Sequence, residues 1–173
     1  MRASILSVLV LAAAPTAAFA HGKTHALDVT STAFSQNAAI PVEYTCEGGN
    51  MSPPLAWSTV PASTKSIAIL VEDPDAPKGT FTHWLVTGIE PNTTSLGKEG
   101  NLPTGAIAMK NDKGESGYAG PCPPTGTHHY HFRVFALDVA KVKATSRTAF
   151  LSEIKGHTLA SGDLVGTYTK QKH

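Results

Sequence analysis

Two carboxylates separated by a single proline form a rigid corner in the stretch Asp73-Pro74-Asp75-Ala76-Pro77. Each proline fixes its own φ and favours extended backbone at the residue before it, so both Asp side chains are held on a stiff segment. The corner follows the apolar run 66–71, which has the composition of a buried strand. Carboxylates placed rigidly at the end of a buried strand indicate a binding or catalytic site.

Histidines and a tyrosine at other strand ends could complete such a site. A strand that begins at His128 places this residue and Tyr130 on the face that is apolar further along, at the mouth of the core. The same alternation puts His83 and Trp84 on opposite faces of another strand. A histidine beside Asp73 would be held in one tautomer or kept protonated. Together with Tyr130 and loop amides, it would form a pocket that receives an anion.

Two other chemistries are open to these residues. General acid–base catalysis by Asp73, His83 and His128 would make the protein a hydrolase. His131 could join them around a metal, and it shares a face with His129 at the i, i+2 spacing that metal-binding strands can use. However, His128 and His129 point to opposite faces, and no Ser or Cys lies in a recognisable nucleophile elbow. We therefore expect a binding protein rather than an enzyme, with no metal or other cofactor.

The N-terminus has the order of a secretory signal peptide. Met1-Arg2 precedes an apolar run at 5–14, and Ala18-Phe19-Ala20 is an A-x-A pattern. Cleavage is predicted after residue 20, which makes 1–20 the signal peptide and 21–173 a single domain. The apolar run is too short to span a bilayer comfortably, and no second one is long enough, so we expect no membrane span. The expected location is periplasmic or secreted.

The charge balance argues against some classes of partner. Loss of Arg2 with the signal peptide leaves equal numbers of basic and acidic residues. The mature chain therefore has no net positive charge that would attract nucleic acid or an anionic membrane. A new amino terminus at His21, with His25 nearby, could chelate copper. A loose tail that merely contains two histidines is the other interpretation, and the one we favour.

Cys46 and Cys122 are the two cysteines of the chain. An even number in an exported protein favours a disulfide, which would be worth ~4 kcal/mol in the loop-entropy account. Free thiols or a metal site are the alternatives, and both are disfavoured because no C-x-x-C spacing occurs. The bond would tie a turn to the long segment 92–127, which is rich in Gly, Pro and Asn. A loop of this length is usually functional.

Short strands dominate the remaining pattern. They are predicted at 27–31, 40–44, 55–57, 66–73, 83–89, 128–138 and 164–168. A short helix is predicted over 146–155, with Ser146 as its N-cap and Gly156 after its end. This pattern predicts a mainly β domain built from antiparallel sheets.

Several ordered motifs resemble those of the phosphatidylethanolamine-binding protein (PEBP) family. The proline-fixed corner followed by Thr82-His83-Trp84 resembles the first family signature. A later stretch resembles the second family signature. It consists of Gly120-Pro121-Cys122-Pro123-Pro124 followed by Gly126-Thr127-His128-His129-Tyr130. The segments 44–48, 52–57 and 117–120 are similar to the bacterial Raf-kinase-inhibitor-like (YbhB/YbcL) branch. The signal peptide and two cysteines look most like its exported YbcL-type members.

The resemblance covers about Leu27 to Tyr168 and implies a fold and a site. The fold would be β-sandwich-like, with antiparallel sheets, a short C-terminal helix and a small cavity at one end. In the family this cavity receives phosphate, phosphoethanolamine or related anions. The implied ligand-binding residues are Asp73, His83, Pro123, His128 and Tyr130, with Asp75, Trp84 and Gly120 in support.

The resemblance also implies protein partners, and it contains one departure. Family members modulate kinases and other signalling proteins, so a kinase-inhibitor-like action on an unidentified partner is an expectation. The oligomeric state, including a dimer, stays open. Many members have Arg between the His and Tyr of the second signature, where this chain has His129. A pH-dependent contact is therefore expected in place of a permanent salt bridge.

Overall fold

The computed structural model describes residues 25–171. The predicted cleavage site and the His21 end of the copper-binding hypothesis lie outside this range. Within it, no helix is both long and apolar enough to cross a membrane.

Two sheets and one α-helix make up the regular structure of residues 25–171. The elements are β1 His25–Ala26, β2 Val29–Thr30, β3 Leu55–Trp57, β4 Ser66–Asp73, β5 Phe81–Ile89, β6 Ser95–Leu96, β7 Ile107–Ala108, β8 Thr127–Leu137, α1 Arg147–Glu153 and β9 Thr158–Thr169. One sheet has the strand order β1-β9-β8-β4-β5-β7, and the other has the order β2-β3-β6. All these pairings are antiparallel except β1 with β9. The mainly β, antiparallel-rich fold with a short helix is confirmed.

The central strand β4 is buried along its whole length because both faces of the large sheet are covered. On one face, Val71 and Phe132 belong to a core that also includes Leu55 of the small sheet. On the other face, Leu70 packs in a second core with Phe150 of α1. Strand β4 therefore carries its last residue, Asp73, out of a firmly packed interior.

Helix α1 begins where the sequence predicts. The Ser146 side chain accepts a hydrogen bond from the Ala149 amide at 3.3 Å, which is an N-cap contact. After the helix, Gly156 has a φ of 89°, a conformation that favours glycine. The fully buried Phe150 contacts Phe135 edge to face, with ring centroids 5.7 Å apart. This contact fixes the helix on the outer face of β8.

The predicted strand at 40–44 is wrong. Residues Val42–Tyr44 form a single turn of 3-10 helix after Pro41, and only Ala39 bridges to β9, at Thr167. Pro41 has no N–H and cannot extend a ladder of hydrogen bonds, which explains why strand pairing stops there.

The last strand is longer than predicted and begins at Thr158 rather than Leu164. The strand includes Gly162, at which another segment of the chain approaches closely. A Cβ at this position would lie 2.2 Å from the Leu27 carbonyl oxygen. Glycine therefore allows another segment to pass over the strand without ending it.

That segment belongs to the N-terminal part of the described chain, which runs along the outer edge of β9. The Leu27 amide donates to the Ser161 carbonyl at 2.8 Å, and the Asn37 amide donates to the Val165 carbonyl at 2.7 Å. The Ile40 amide continues the series with the Thr167 carbonyl at 2.8 Å. Residues 25–40 thus pair with much of an edge that would otherwise be open.

Candidate functional site

A cavity of about 400 Å³ opens beside the ends of β4 and β8. Its wall includes five residues predicted for the site: Asp73, His83, Gly120, Pro123 and His128. The other predicted residues, Tyr130, Asp75 and Trp84, do not form the surface of the wall. The structure therefore brings together residues that are distant in sequence, as the pocket hypothesis requires.

His128 is oriented by Asp73. Its Nδ1 donates to Asp73 Oδ2 at 2.7 Å, and both side chains are almost completely buried. Because a carboxylate only accepts, Nδ1 carries the proton and Nε2 is left for a ligand in the cavity. The other Asp73 oxygen, Oδ1, accepts the Asp75 amide at 2.8 Å. Asp73 thus positions the histidine and closes the proline-fixed corner at the same time.

Asp75 ties the corner to β8 on the opposite face of the strand. Its Oδ2 accepts the His129 amide at 2.9 Å and His129 Nδ1 at 2.8 Å. The hydrogen bond from the His129 side chain, followed by that from its amide, holds the pKa of Asp75 below its usual value. His129 therefore faces away from the cavity, as the alternation predicts, and contacts a corner carboxylate. The pH dependence of this contact stays a prediction.

His83 reaches the cavity because β5 contains a bulge. Val71 pairs with Trp84, but the next residue of β4 pairs with Thr82, so His83 is the extra residue. Simple alternation puts His83 and Trp84 on opposite faces of β5. This expectation is wrong, because Trp84 belongs to the main core and the His83 ring contacts Tyr130 of the same core. The bulge re-aims the ring towards Tyr130, at 5.2 Å between centroids. A bulge of this kind has no clear signature in the sequence 81–89.

The hydrogen bonding of His83 defines its tautomer. Its Nδ1 lies 2.5 Å from the Ala119 carbonyl oxygen, which can only accept, so Nδ1 carries a proton. Burial is the main cause that lowers the pKa of His83, and the charge of Lys113 lowers it further. The Ala119 carbonyl and Asp73 oppose these effects only in part. His83 is therefore neutral around neutral pH, with an unprotonated Nε2.

This lowered pKa predicts acid destabilisation. Below the ordinary pKa of 6.5, His83 is protonated in the unfolded chain. In the folded chain it stays neutral until the pH falls to its own, lower pKa. In that window the free energy of unfolding should fall with decreasing pH, by up to about 1.4 kcal/mol per pH unit from this group. Urea unfolding of wild type and His83→Asn across the window measures the difference in slope. Equal slopes would contradict the assignment of a buried, neutral His83.

Tyr130 supports both histidines from behind. It is completely buried, and its ring centroid lies 5.2 Å from that of His83 and 6.5 Å from that of His128. Burial, followed by the charge of Asp73, raises the pKa of Tyr130, so its hydroxyl stays protonated. The hydroxyl has no hydrogen-bond partner among residues 25–171. The Cys122 amide is near enough to favour its ionised form but lies outside hydrogen-bond geometry.

Trp84 acts at a greater distance from the cavity. Its ring lies in the main core and meets the edge of Tyr118, with centroids 5.8 Å apart. The Tyr118 hydroxyl donates to the Tyr44 carbonyl at 3.1 Å. Trp84 therefore supports the loop that leads into the cavity wall.

The predicted disulfide between Cys46 and Cys122 is present, and Cys122 forms part of the cavity wall. Two backbone donors reinforce the contact between the segment at 46–50 and the segment at 120–122, which we call the seam. The Cys46 amide donates to the Pro121 carbonyl at 3.1 Å, and the Gly120 amide donates to Asn50 Oδ1 at 2.7 Å. A Cβ on Gly120 would lie 2.8 Å from this Asn50 oxygen, so no side chain fits there. The seam fixes the loop whose Ala119 carbonyl holds His83.

The cavity wall also contains two cations and an aromatic ring that were not predicted from the sequence: Lys78, Lys113 and Phe81. Lys78 follows the proline-fixed corner directly, and that position could have identified it. Phe81 contacts His83, with centroids 4.8 Å apart. Nothing in the sequence connects Lys113 with this place.

A compact loop presents Lys113 to the cavity. The buried Asn111 organises it: Oδ1 accepts the Lys113 amide at 2.9 Å and the Glu115 amide at 3.2 Å. Asp112 then fixes the loop to β5, because its Oδ2 accepts the Thr82 amide at 2.7 Å. The position of the cation is therefore set by hydrogen bonds within the loop and to the sheet.

The wall thus combines two lysines, one carboxylate, two histidines and apolar surface. Residues 25–171 contain no group of three His, Cys, Asp or Glu side chains placed to hold a metal. Within the same range, the wall contains no serine or threonine, and its cysteine is in the disulfide. The groups present suit hydrogen bonding and charge pairing with a small ligand.

A concave, partly charged cavity at the strand ends of a two-sheet β fold is the kind of place where proteins bind small molecules. The family model described as phosphatidylethanolamine-binding protein matches residues 30–169, and the chain belongs to that family. The YbcL-type assignment from sequence is confirmed by the relatives described next.

Sequence relatives and solved structures agree with this family. A protein of Methanothermobacter thermautotrophicus named UPF0098 is 41% identical over 150 residues, covering 83% of this chain and 99% of that protein. LppC of Mycobacterium tuberculosis, whose name describes it as a candidate lipoprotein, is 42% identical over 146 residues. The match covers 82% of this chain and 72% of LppC. The crystal structure of Escherichia coli YbcL, described as a member of the mammalian PEBP family, has a TM-score of 0.79 and 34% sequence identity. The match covers 84% of this chain and 99% of the YbcL chain. The crystal structure of the PEBP homologue CT736 of Chlamydia trachomatis has a TM-score of 0.79 and 37% sequence identity, and the match covers 86% of this chain and 100% of that chain.

Proposed function

We propose that this protein is an exported, non-enzymatic binding protein whose cavity takes small anions of the phosphate or phosphoethanolamine kind. The observation that carries the proposal is His128, oriented by Asp73 at 2.7 Å in a wall that also contains Lys78 and Lys113. A histidine fixed in this way offers one defined nitrogen to the ligand, and the lysines favour a negative charge.

The shape and polarity of the cavity support the same proposal. Phe81, Pro77 and Pro123 contribute apolar surface around the charged groups. Apolar walls exclude water and strengthen the few polar contacts that remain. A ligand with a compact charged head and a short apolar part would therefore use both kinds of surface.

Titration with phosphoethanolamine tests this function. Amide resonances of Asp73, His83 and Tyr130 should shift on binding, because these residues form or support the wall. His128→Ala should lower the affinity by about tenfold, the effect expected for one hydrogen bond that involves a charged group. His157→Ala is the matched control, since His157 also pairs with an aspartate, Asp138, at 2.8 Å but stands outside the cavity wall.

The site assignment fails if the largest shifts occur away from the cavity. It also fails if His128→Ala binds phosphoethanolamine as tightly as His157→Ala does.

Export and action on a partner belong to the same proposal. The order of the N-terminal sequence, the disulfide and the lipoprotein name of LppC support export. Membership of the PEBP family supports a kinase-inhibitor-like effect on a protein partner. Such an effect would place the exposed rim of the cavity, including Lys78, against the partner.

The oriented His128 favours one alternative, a hydrolase in which its Nε2 activates water. Turnover of a small phosphate ester that His128→Ala abolishes and His157→Ala retains would establish that function. A metal-dependent variant of the alternative would be established by stoichiometric zinc after equilibrium dialysis.

A further inference from the structure

We propose that the cavity selects an oxyanion that still carries a proton at neutral pH, such as hydrogen phosphate, over one that carries none, such as sulfate. This inference rests on the proposed function and names the ligand class of the same site. It follows from the direction of the hydrogen bonds that the wall can make.

His83 offers an acceptor to the cavity. Its Nδ1 proton is used by the Ala119 carbonyl at 2.5 Å, so in the neutral ring Nε2 carries only a lone pair. The side chain lines the cavity, and Nε2 is not among the buried polar atoms that lack a partner. Since no hydrogen bond of the described chain uses it, Nε2 is accessible from the cavity. A ligand atom that meets it must donate a proton.

Burial keeps the His83 ring neutral although two carboxylates lie nearby. Asp73 of β4 and the Asp112 carboxylate favour protonation, whereas Lys113 disfavours it. From β8, Tyr130 contributes an uncharged hydroxyl, and His128 has its own carboxylate partner. Burial outweighs the two carboxylates and lowers the pKa of His83.

Asp73 adds a second reason for the preference. Its carboxylate lines the cavity and places a negative charge close to the ligand. A fully deprotonated oxyanion would face this carboxylate and the His83 lone pair with no proton to offer either group. Unmatched lone pairs of this kind are costly in a partly buried site.

The donors of the wall do not discriminate in this way. Lys78 and Lys113 attract any oxyanion, because a lysine ammonium only donates. Selectivity between phosphate and sulfate therefore depends on the acceptors, and His83 Nε2 is an acceptor that no hydrogen bond of the described residues uses.

Three tetrahedral probes separate charge from protonation. At about pH 7, inorganic phosphate retains at least one proton, and its mean charge lies between those of methyl sulfate and sulfate. We expect phosphate to bind about tenfold more tightly than both, as one hydrogen bond would give. A preference that follows charge alone would place phosphate between the other two.

His83→Asn removes the acceptor and can keep the donor, because the Asn amide nitrogen can reach the position of Nδ1 beside the Ala119 carbonyl. This variant should lose the phosphate preference, so that phosphate binds no more tightly than sulfate and methyl sulfate do. Lys78→Ala should weaken binding of all three probes, because its charge attracts any oxyanion. A direct measurement on wild type is the 15N resonance of His83 Nε2, which should shift with phosphate and not with sulfate.

The possible outcomes are distinguishable. If none of the three probes binds wild type, the proposed function itself fails. If sulfate binds as tightly as phosphate, or His83→Asn keeps the preference, the selectivity is overturned while the anion site stands. If His83→Asn does not fold, the 15N resonance decides, and an equal response to phosphate and sulfate overturns the proposal.

Discussion

The double variant Cys46→Ser, Cys122→Ser is expected to be less stable than the disulfide-bonded protein by about 4 kcal/mol. The bond closes a loop between cysteines 76 positions apart, so its loss frees a large number of unfolded conformations. Equilibrium unfolding in urea measures the effect. Wild type treated with a reductant is the matched comparison, because it lacks the bond but keeps both sulfur atoms.

The same variant should also bind phosphoethanolamine more weakly under conditions where it is still folded. Cys122 forms part of the wall, and the seam at Gly120 and Pro121 positions the carbonyl that holds His83. Loosening this seam leaves His83 less well oriented. A loss of stability without any loss of affinity would show that the hydrogen bonds hold the wall without the disulfide. A stability loss below about 1 kcal/mol would contradict the loop-entropy account.

The second large effect is expected for Glu72→Ala, which should lower the free energy of unfolding by about 3 kcal/mol. Glu72 is only 3% exposed and pairs with Arg133 at 2.9 Å and with Arg147 of α1. Its removal leaves two partly buried guanidinium groups without their main carboxylate. We take the lower end of the range for buried pairs because the arginine side chains are 36% and 30% exposed.

Asp163→Ala is the control within the same group of charges. Asp163 accepts from His131 at 2.7 Å but is itself 36% exposed, so the expected loss is below about 1 kcal/mol. Replacing Glu72 and Arg147 together by Met should recover part of the stability, because the charge and its partner are removed at once. Similar losses for Glu72→Ala and Asp163→Ala would show that burial of Glu72 adds little.

The sequence was sufficient where one local signal determined the structure. The apolar run before the corner predicted β4, Ser146 predicted the start of α1, and the cysteine count predicted the disulfide. Alternation along β8 correctly separated His128 from His129, because this strand keeps a regular period of two through the site.

Prediction failed where packing between distant segments determined the structure. The bulge that turns His83 towards Tyr130 depends on the pairing of β5 with β4. The early start of β9 was missed because nothing local reveals that Leu27 passes over Gly162. Lys113 reaches the cavity only through a loop folded around Asn111. Each of these depends on a partner far away in the chain, which a window of neighbouring residues does not contain.

The pairing of residues 25–40 with β9 has a consequence for how separate copies of the protein behave towards one another. A long strand with an unpaired side is a template on which a second chain can add its own backbone. Here the Leu27, Asn37 and Ile40 amides use carbonyls along that side of β9. The start of the described chain therefore protects the protein against edge-to-edge aggregation, in addition to completing the sheet.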